Sequence, residues 1–363
     1  MSCKLGIIGC GDIFPNYLQG LRQFPELEIL AIADRDEAVA QARATEFGVA
    51  ASSVSQLLSS QAEIIINLTP ATAHYSVSQQ ILGAGKHVYS EKPLAASFAE
   101  GQALLQQAQQ AGLRLACAPD TFLGAAGQAA RELLDSQLLG KVIAAQANLM
   151  ERGPDDWHPN PALFYGRGAG PMLDMGVYYL TQLVQLLGPV AAVQAAGQAS
   201  WPVRQVERGP AAGQTIQVYT PSHISAICQF EQGALLQLTT SFDVWRHQAQ
   251  HIELFAESGS LVLPDPNNFG GEISYCLRDG AWQKLPNSRP FQTNLRGLGV
   301  AEMATAIRQG RPHRASAELA LHVLEAMEAI VQCCNDGQLR RLQTRCQRPL
   351  LTDFAKEELL CRA

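Results

Sequence analysis

Through the first third of the chain, apolar runs of four to seven residues alternate with longer amphipathic stretches. Lys4–Ile8, Leu27–Ala33, Ile64–Leu68, His87–Ser90 and Leu113–Cys117 read as strands. Their apolar positions run on without alternating, which is what a parallel sheet covered on both faces requires. Between them Ile13–Gln23, Glu37–Phe47, His74–Leu82 and Ser97–Ala111 read as helices. Gly48 and Gly112 stand where left-handed backbone stops a helix, and Ser97 is a good N-cap. This strand–helix repetition predicts a doubly wound α/β domain over residues 1–122.

After a further helix at Phe122–Ser136 the period changes. Val142–Met150, Ile216–Tyr219, Ile224–Phe230, Ala234–Phe242, His251–Ala256 and Ser260–Leu263 read as strands, with helices at Val300–Arg308 and Ser316–Cys333. Many strands followed by a few helices predict an α+β domain over residues 123–363, built on an open, mostly antiparallel sheet. A chain of 363 residues exceeds what one core usually holds, in keeping with two domains. Ala234–Phe242 carries Leu235, Leu236, Leu238 and Phe242 on both alternating sets, more than one covered face needs. A homodimer or homotetramer paired through this sheet is therefore expected.

Charge and composition narrow the partners. With 27 Lys and Arg against 33 Asp and Glu the net charge is −6, which argues against nucleic acid. No apolar run approaches a membrane span, and the N-terminus lacks the apolar segment of a signal peptide. Nine cysteines without a Cys-x-x-Cys pair suggest reduced thiols and a cytoplasmic setting. Metal-ligand spacing is absent, so no metal is expected.

Candidate chemistry begins at GIIGCGDIF. Gly9 and Gly11 sit where the first strand meets the first helix, followed by Asp12 and Ile13. In a dinucleotide-binding turn, glycines let a pyrophosphate approach the backbone at the helix N-terminus. The third glycine of that fingerprint is Phe14 here, so the helix should sit further out with the phosphate site kept. Asp34, at the end of the second strand, is placed to accept the ribose hydroxyls of NAD and to repel the 2′-phosphate of NADP. Arg35 beside it is placed to stack on adenine or to pair with such a phosphate. NAD is the expected cofactor, ahead of NADP.

With Gly9-Cys10-Gly11, Thr69-Pro70-x-x-x-His74 and Glu91-Lys92-Pro93, the chain resembles the Gfo/Idh/MocA family, named for glucose–fructose oxidoreductase, inositol dehydrogenase and a rhizopine catabolism protein. The resemblance extends over essentially the whole chain. It implies a Rossmann domain, a second open-sheet domain, and NAD(P)-dependent oxidation or reduction of a sugar, inositol or related polyol. It places Thr69, Pro70, His74 and Glu91 around the cofactor and brings Lys92 to both substrate and reactive proton, with a cis peptide after it. A partly desolvated lysine near a positively charged nicotinamide should have its pKa lowered toward neutrality. In GAGPMLDMGVYYL, Asp174 and Tyr178 are one i, i+4 step apart on a helical face. The family's common pattern has His where Tyr178 stands, and Asn where Ala71 stands. A Lys92–Tyr178 proton relay, with Asp174 orienting the lysine or a substrate hydroxyl, follows from the resemblance. His158, Asp120 and Thr121 are further substrate candidates, and Tyr179 is expected to pack. For each there is a plainer role: His74 as a cap or core histidine, Asp174 as a helix-terminal charge, His158 as a surface loop.

Two other functions fit these residues. One retains NAD and uses transient oxidation to drive glycoside hydrolysis or elimination. The other is a non-catalytic sugar or NAD sensor, since a fold does not dictate a function. Lys92 together with Tyr178 argues against the sensor, which needs neither.

Overall fold

The computed structural model describes residues 2–293 and 295–352. The described residues divide into two compact units, the first comprising 2–124 together with 293, 295–321 and 349–352, the second 125–292 and 322–348.

In the first unit, strands β1 (Cys3–Ile8), β2 (Leu27–Ala33), β3 (Ile64–Asn67), β4 (His87–Ser90) and β5 (Leu115–Cys117) form a parallel sheet in the order β2-β1-β3-β4-β5. Helices α1 (Phe14–Leu21), α2 (Glu37–Phe47), α3 (Val54–Leu58), α4 (His74–Gly83) and α5 (Phe98–Ala111) connect them. The strand order reverses between β1 and β3, so the crevice that such sheets use for ligands opens beyond the carboxyl ends of those two strands. Leu5, Ile7, Ile64 and Ile66 pack against Phe14, Tyr17, Leu18 and Leu21 of α1, and against Val300, Met303 and Ala304 from far along the chain. Ser97 caps α5 and both Gly48 and Gly112 close their helices in left-handed backbone, as predicted. The expected strand from Leu113 starts two residues later, because the Leu113 N–H still closes α5 on the Ala108 carbonyl. Helix α3 was not predicted, although Ser53 and Gln56 form its capping box.

The second unit opens with α6 (Ala125–Asp135). The long helix expected from Phe122 is cut at Gly124, whose extended backbone separates a short 3₁₀ turn, Thr121–Leu123, from α6. Next come β6 (Val142–Met150), a π turn at Met172–Gly176, α7 (Val177–Leu187), β7 (Val190–Gln198), β8 (Val203–Gln205), β9 (Thr215–Gln217), β10 (His223–Phe230) and β11 (Leu235–Ser241). β12 (Ile252–Ala256), β13 (Gly259–Leu263), β14 (Ser274–Leu277) and β15 (Gln283–Lys284) follow, then α8 (Leu298–Gln309) in the first unit, α9 (Ala317–Asp336), and β16 (Arg340–Arg341). The large sheet runs β15-β14-β13-β12-β6-β11-β10-β7-β16, antiparallel except where β6 pairs β11. The short strands β8, β14, β15 and β16 have no counterpart in the sequence pattern, and two larger differences stand out. The predicted strand at Ile216–Tyr219 is β9, which pairs β8 in a separate two-stranded sheet. β7 was not predicted at all, since VAAVQAAGQ has little β propensity, yet it pairs β10 along its length.

Candidate active site

The glycine turn is built by close approach. Gly9 has φ +104°, and a Cβ there would lie 2.6–2.7 Å from the Leu68 carbonyl and the Thr69 nitrogen. Only glycine lets the β1 exit press this closely on the β3 exit. At Gly11 an added Cβ meets nothing within 4 Å, so the turn has open space in front of its backbone. The Asp34 carboxylate accepts from Cys10 N (2.9 Å) and Asp36 N (3.1 Å), tying the end of β2 to the turn. Burial, followed by the Asp34 charge, pushes the Cys10 thiol up to about 12, so it stays protonated beside the turn. Asp12 and Arg35 are exposed and Ile13 half-buried. Phe14 is wholly buried and meets Phe47 edge-on at 5.6 Å, filling the helix–strand space where the fingerprint's third glycine normally permits contact. A tight turn with open space at Gly11 and an acid at the end of β2 suits a dinucleotide.

A second set of contacts fixes the exits of β3 and β4. Asn67, wholly buried, donates to the His74 carbonyl (3.1 Å) and to Ser78 (3.0 Å), while its Oδ1 accepts from Thr69 Oγ1 (2.6 Å) and Thr69 N (3.2 Å). His74 is buried, with Nδ1 2.6 Å from the Pro93 carbonyl and Nε2 2.7 Å from the Thr69 carbonyl. It thereby bridges the loop holding Thr69 and Pro70 to the loop holding Lys92. Glu91 accepts from Tyr17 Oη (2.8 Å) and from the Lys92 N–H (2.8 Å), so its carboxylate braces the lysine's own backbone. Burial, then Glu91, raises the Tyr17 hydroxyl well above its usual range and keeps it a donor. The Lys92–Pro93 peptide is cis. Asn67 and Tyr17 escaped the sequence reading, although an Asn closing the apolar run IIIN was a visible signal.

Asp120 is also enclosed. Its Oδ2 accepts from Gly297 N (3.1 Å) and Gly299 N (2.9 Å) at the start of α8, and burial pushes its carboxyl upward. Thr121 is buried beside it in the 3₁₀ turn.

Lys92 belongs to the first unit, Asp174 and Tyr178 to the second. The expected i, i+4 pair is a composite: Asp174 lies in the π turn and Tyr178, buried, in the first turn of α7. A π turn inside a helix is frequent where function demands a particular side-chain direction. Tyr179 packs, fully buried, with its hydroxyl 2.8 Å from His251 Nδ1. Desolvation, then the like charges of Asp174 and Asp265, push the Glu151 carboxyl above its usual range. His158 sits edge-on between Trp157 (5.4 Å) and Phe164 (4.8 Å), its Nδ1 accepting from Asn160 N (2.9 Å).

Residues 3–118 match a family model described as an oxidoreductase family with an NAD-binding Rossmann fold, and residues 128–262 match the GFO/IDH/MocA C-terminal domain. The chain is 33% identical over 219 residues to a dTDP-3,4-didehydro-2,6-dideoxy-α-D-glucose 3-reductase of Streptomyces violaceoruber, a match covering 58% of this chain and 62% of that one. It is 26% identical over 92% of its length, and 97% of the other's, to a D-xylose 1-dehydrogenase (NADP(+)) of Haloferax volcanii. A levoglucosan dehydrogenase solved with NADH and L-sorbose superposes with a TM-score of 0.82 at 17% identity, over 94% of this chain and 99% of that one.

Proposed function

Since the chain belongs to the Gfo/Idh/MocA family of oxidoreductases, we propose that it transfers a hydride between NAD and a sugar, inositol or related polyol, with Lys92 and Tyr178 relaying the proton. The observation that carries this reading is the bracing of Lys92. Glu91 holds its N–H, and His74 holds the carbonyl of the next residue, where β4 leaves the carboxyl edge of the same sheet whose first strand ends in the glycine turn. Three buried groups, Glu91, Tyr17 and His74, spent on one loop make sense if the direction of its lysine matters. When bound, the nicotinamide supplies the hydride acceptor or donor. Lys92 and Tyr178 then hold and move the proton at the substrate oxygen, and Asp174 orients that hydroxyl or the lysine. Asp34 takes the adenosine ribose, which favours NAD over NADP. The protein works as a homo-oligomer in the cytoplasm.

The test is a panel of sugars and inositols with purified protein, following NADH absorbance after any cofactor that co-purifies has been identified. NAD-dependent turnover of a polyol is the expected result. Turnover with net hydrolysis or elimination and no net NADH would replace dehydrogenation with the transient-oxidation reaction. Tighter binding of NADP than NAD in calorimetry would transfer the specificity role from Asp34 to Arg35.

A further inference from the structure

Arg152 is an unusual arginine. Its guanidinium carbon lies 4.4 Å from the centre of the Trp245 ring and 4.9 Å from that of Trp201. Both indoles are solvent-exposed, 58% and 41% respectively. Nη1 is shielded from water and has no hydrogen-bond partner, and among the described residues the guanidinium forms no ion pair. Two aromatic faces attract a cation but leave its in-plane N–H groups unused. A guanidinium without an acceptor is costly to keep, and such a fork matches the paired oxygens of a phosphoryl or carboxylate group.

The three side chains come from one end of the large sheet. Met150, Ser241, His223 and Gln198 form a single row across β6, β11, β10 and β7. Arg152, Trp245 and Trp201 each follow that row by a few residues. A buried network ties down the backbone at Arg152 and next to Trp201. Arg204 donates to Asp155 (2.8 Å), to Asp243 (2.7 Å), and to the carbonyls of Arg152 (2.7 Å) and Phe242 (3.1 Å). Ser222 donates to Asp243 (2.6 Å) and accepts from Ser200 N (3.3 Å), next to Trp201. Asp155 and Asp243 thus direct their bonds to Arg204, and among the described residues neither pairs with the Arg152 guanidinium. The π turn of Asp174 packs at the same end, with a Cβ on Gly176 coming 3.6 Å from Thr240 of β11.

We propose that Trp201, Arg152 and Trp245 form a subsite for an anionic substituent, phosphoryl or carboxylate, on a sugar-derived substrate. This rests on the oxidoreductase reading and narrows it. The substrate is then an acidic sugar derivative whose charged group sits on Arg152 and whose apolar ring face lies against an indole, with the reacting carbon toward Asp174 and Tyr178.

The experiment is calorimetry on the full chain with glucose, glucose-1-phosphate and glucuronate as probes, and hydride transfer followed in parallel. An anionic probe should bind on the order of 10- to 100-fold more tightly than glucose, the weight of hydrogen bonds to a charged group. Preference for one anionic probe tells a phosphoryl from a carboxylate group. Arg152→Leu should erase the difference and Arg152→Lys keep part of it. Trp245→Ala, which leaves the Arg204 network untouched, should weaken the anionic probe even if Arg152→Leu proves unstable. Equal binding of glucose and both anionic probes, or an Arg152→Leu variant with undiminished preference, overturns the subsite. Turnover of neutral sugars alongside either result leaves the oxidoreductase reading standing. Arg152-dependent binding of an anionic probe without hydride transfer to or from any sugar would retain the subsite and remove that reading.

Discussion

Side chains around Lys92 show how much of a candidate site can be read one residue at a time. The Glu-Lys-Pro and Gly-x-Gly stretches were visible because chemistry and backbone geometry restrict those positions to few residue types. What supports them was legible only in part: His74 stood out and Asn67 and Tyr17 did not, and all three act through bonds to partners between 2 and 74 residues away. If Lys92 and Tyr178 relay the proton, Lys92→Met and Tyr178→Phe should each cut turnover by about 10²–10⁴-fold while NAD affinity stays close to that of the parent. The double variant should lose little more, since groups that act as one unit are not additive. Stopped-flow and calorimetric measurements on the three proteins check this, and full turnover by Lys92→Met would sink the relay.

At the scale of elements, strong local signals were enough for the βα repeat and its helix stops, whereas β7 needed its neighbours. An alanine-rich stretch becomes a strand because β10 offers it a ladder, and α9 then anchors its start. His322 of α9 is buried, its Nε2 accepts from the Val190 N–H (2.9 Å), and its Nδ1 meets Thr344 Oγ1 (2.9 Å), whose hydroxyl donates on to Glu325. Burial holds this histidine below its ordinary 6.5, against the pull of Glu325. His87, accepting from Arg114 N (2.9 Å), is lowered the same way, by burial first and then Arg114. A lowered folded-state value means that the unfolded chain takes up the proton first on acidification. The stabilisation is therefore present above the ordinary value of 6.5 and drains away as pH falls through it, at no more than about 1.4 kcal/mol per pH unit for each proton. Melting temperatures measured from neutral to mildly acidic pH should fall. His322→Gln should start lower at neutral pH and fall less steeply, and a slope identical to the parent's would refute this account.

On the scale of the whole molecule, the large sheet leaves one face to solvent. Leu236 and Leu238 of β11 turn inward and are buried, while Leu235 on that strand and Ile227 on β10 are exposed, the latter by 58%. The row between and around them is Gln194, Gln229 and Gln237, exposed and uncharged. We expect copies of the chain to pair across this face, so light scattering at micromolar concentration should give a multiple of the 39.2 kDa chain mass, and Ile227→Glu should drive it toward the monomer. A monomeric parent would remove the proposal. The boundary between units also belongs to this scale. The change of period suggests a cut near residue 122 with everything after it in the second domain; α8 nonetheless belongs to the first unit, since an amphipathic helix does not announce which sheet its apolar side will meet. Sequence by itself determined the doubly wound half, the open sheet, the glycine turn with its acid, and the lysine loop, because each depends on local backbone rules or on a periodicity a few residues long. Only tertiary structure decided β7, the π turn under Asp174, the bracing of Lys92 by buried polar groups, and the joining of Arg152 to Trp201 and Trp245. Those depend on residues far apart in the chain satisfying one another's hydrogen bonds and charge, which no window along the sequence contains.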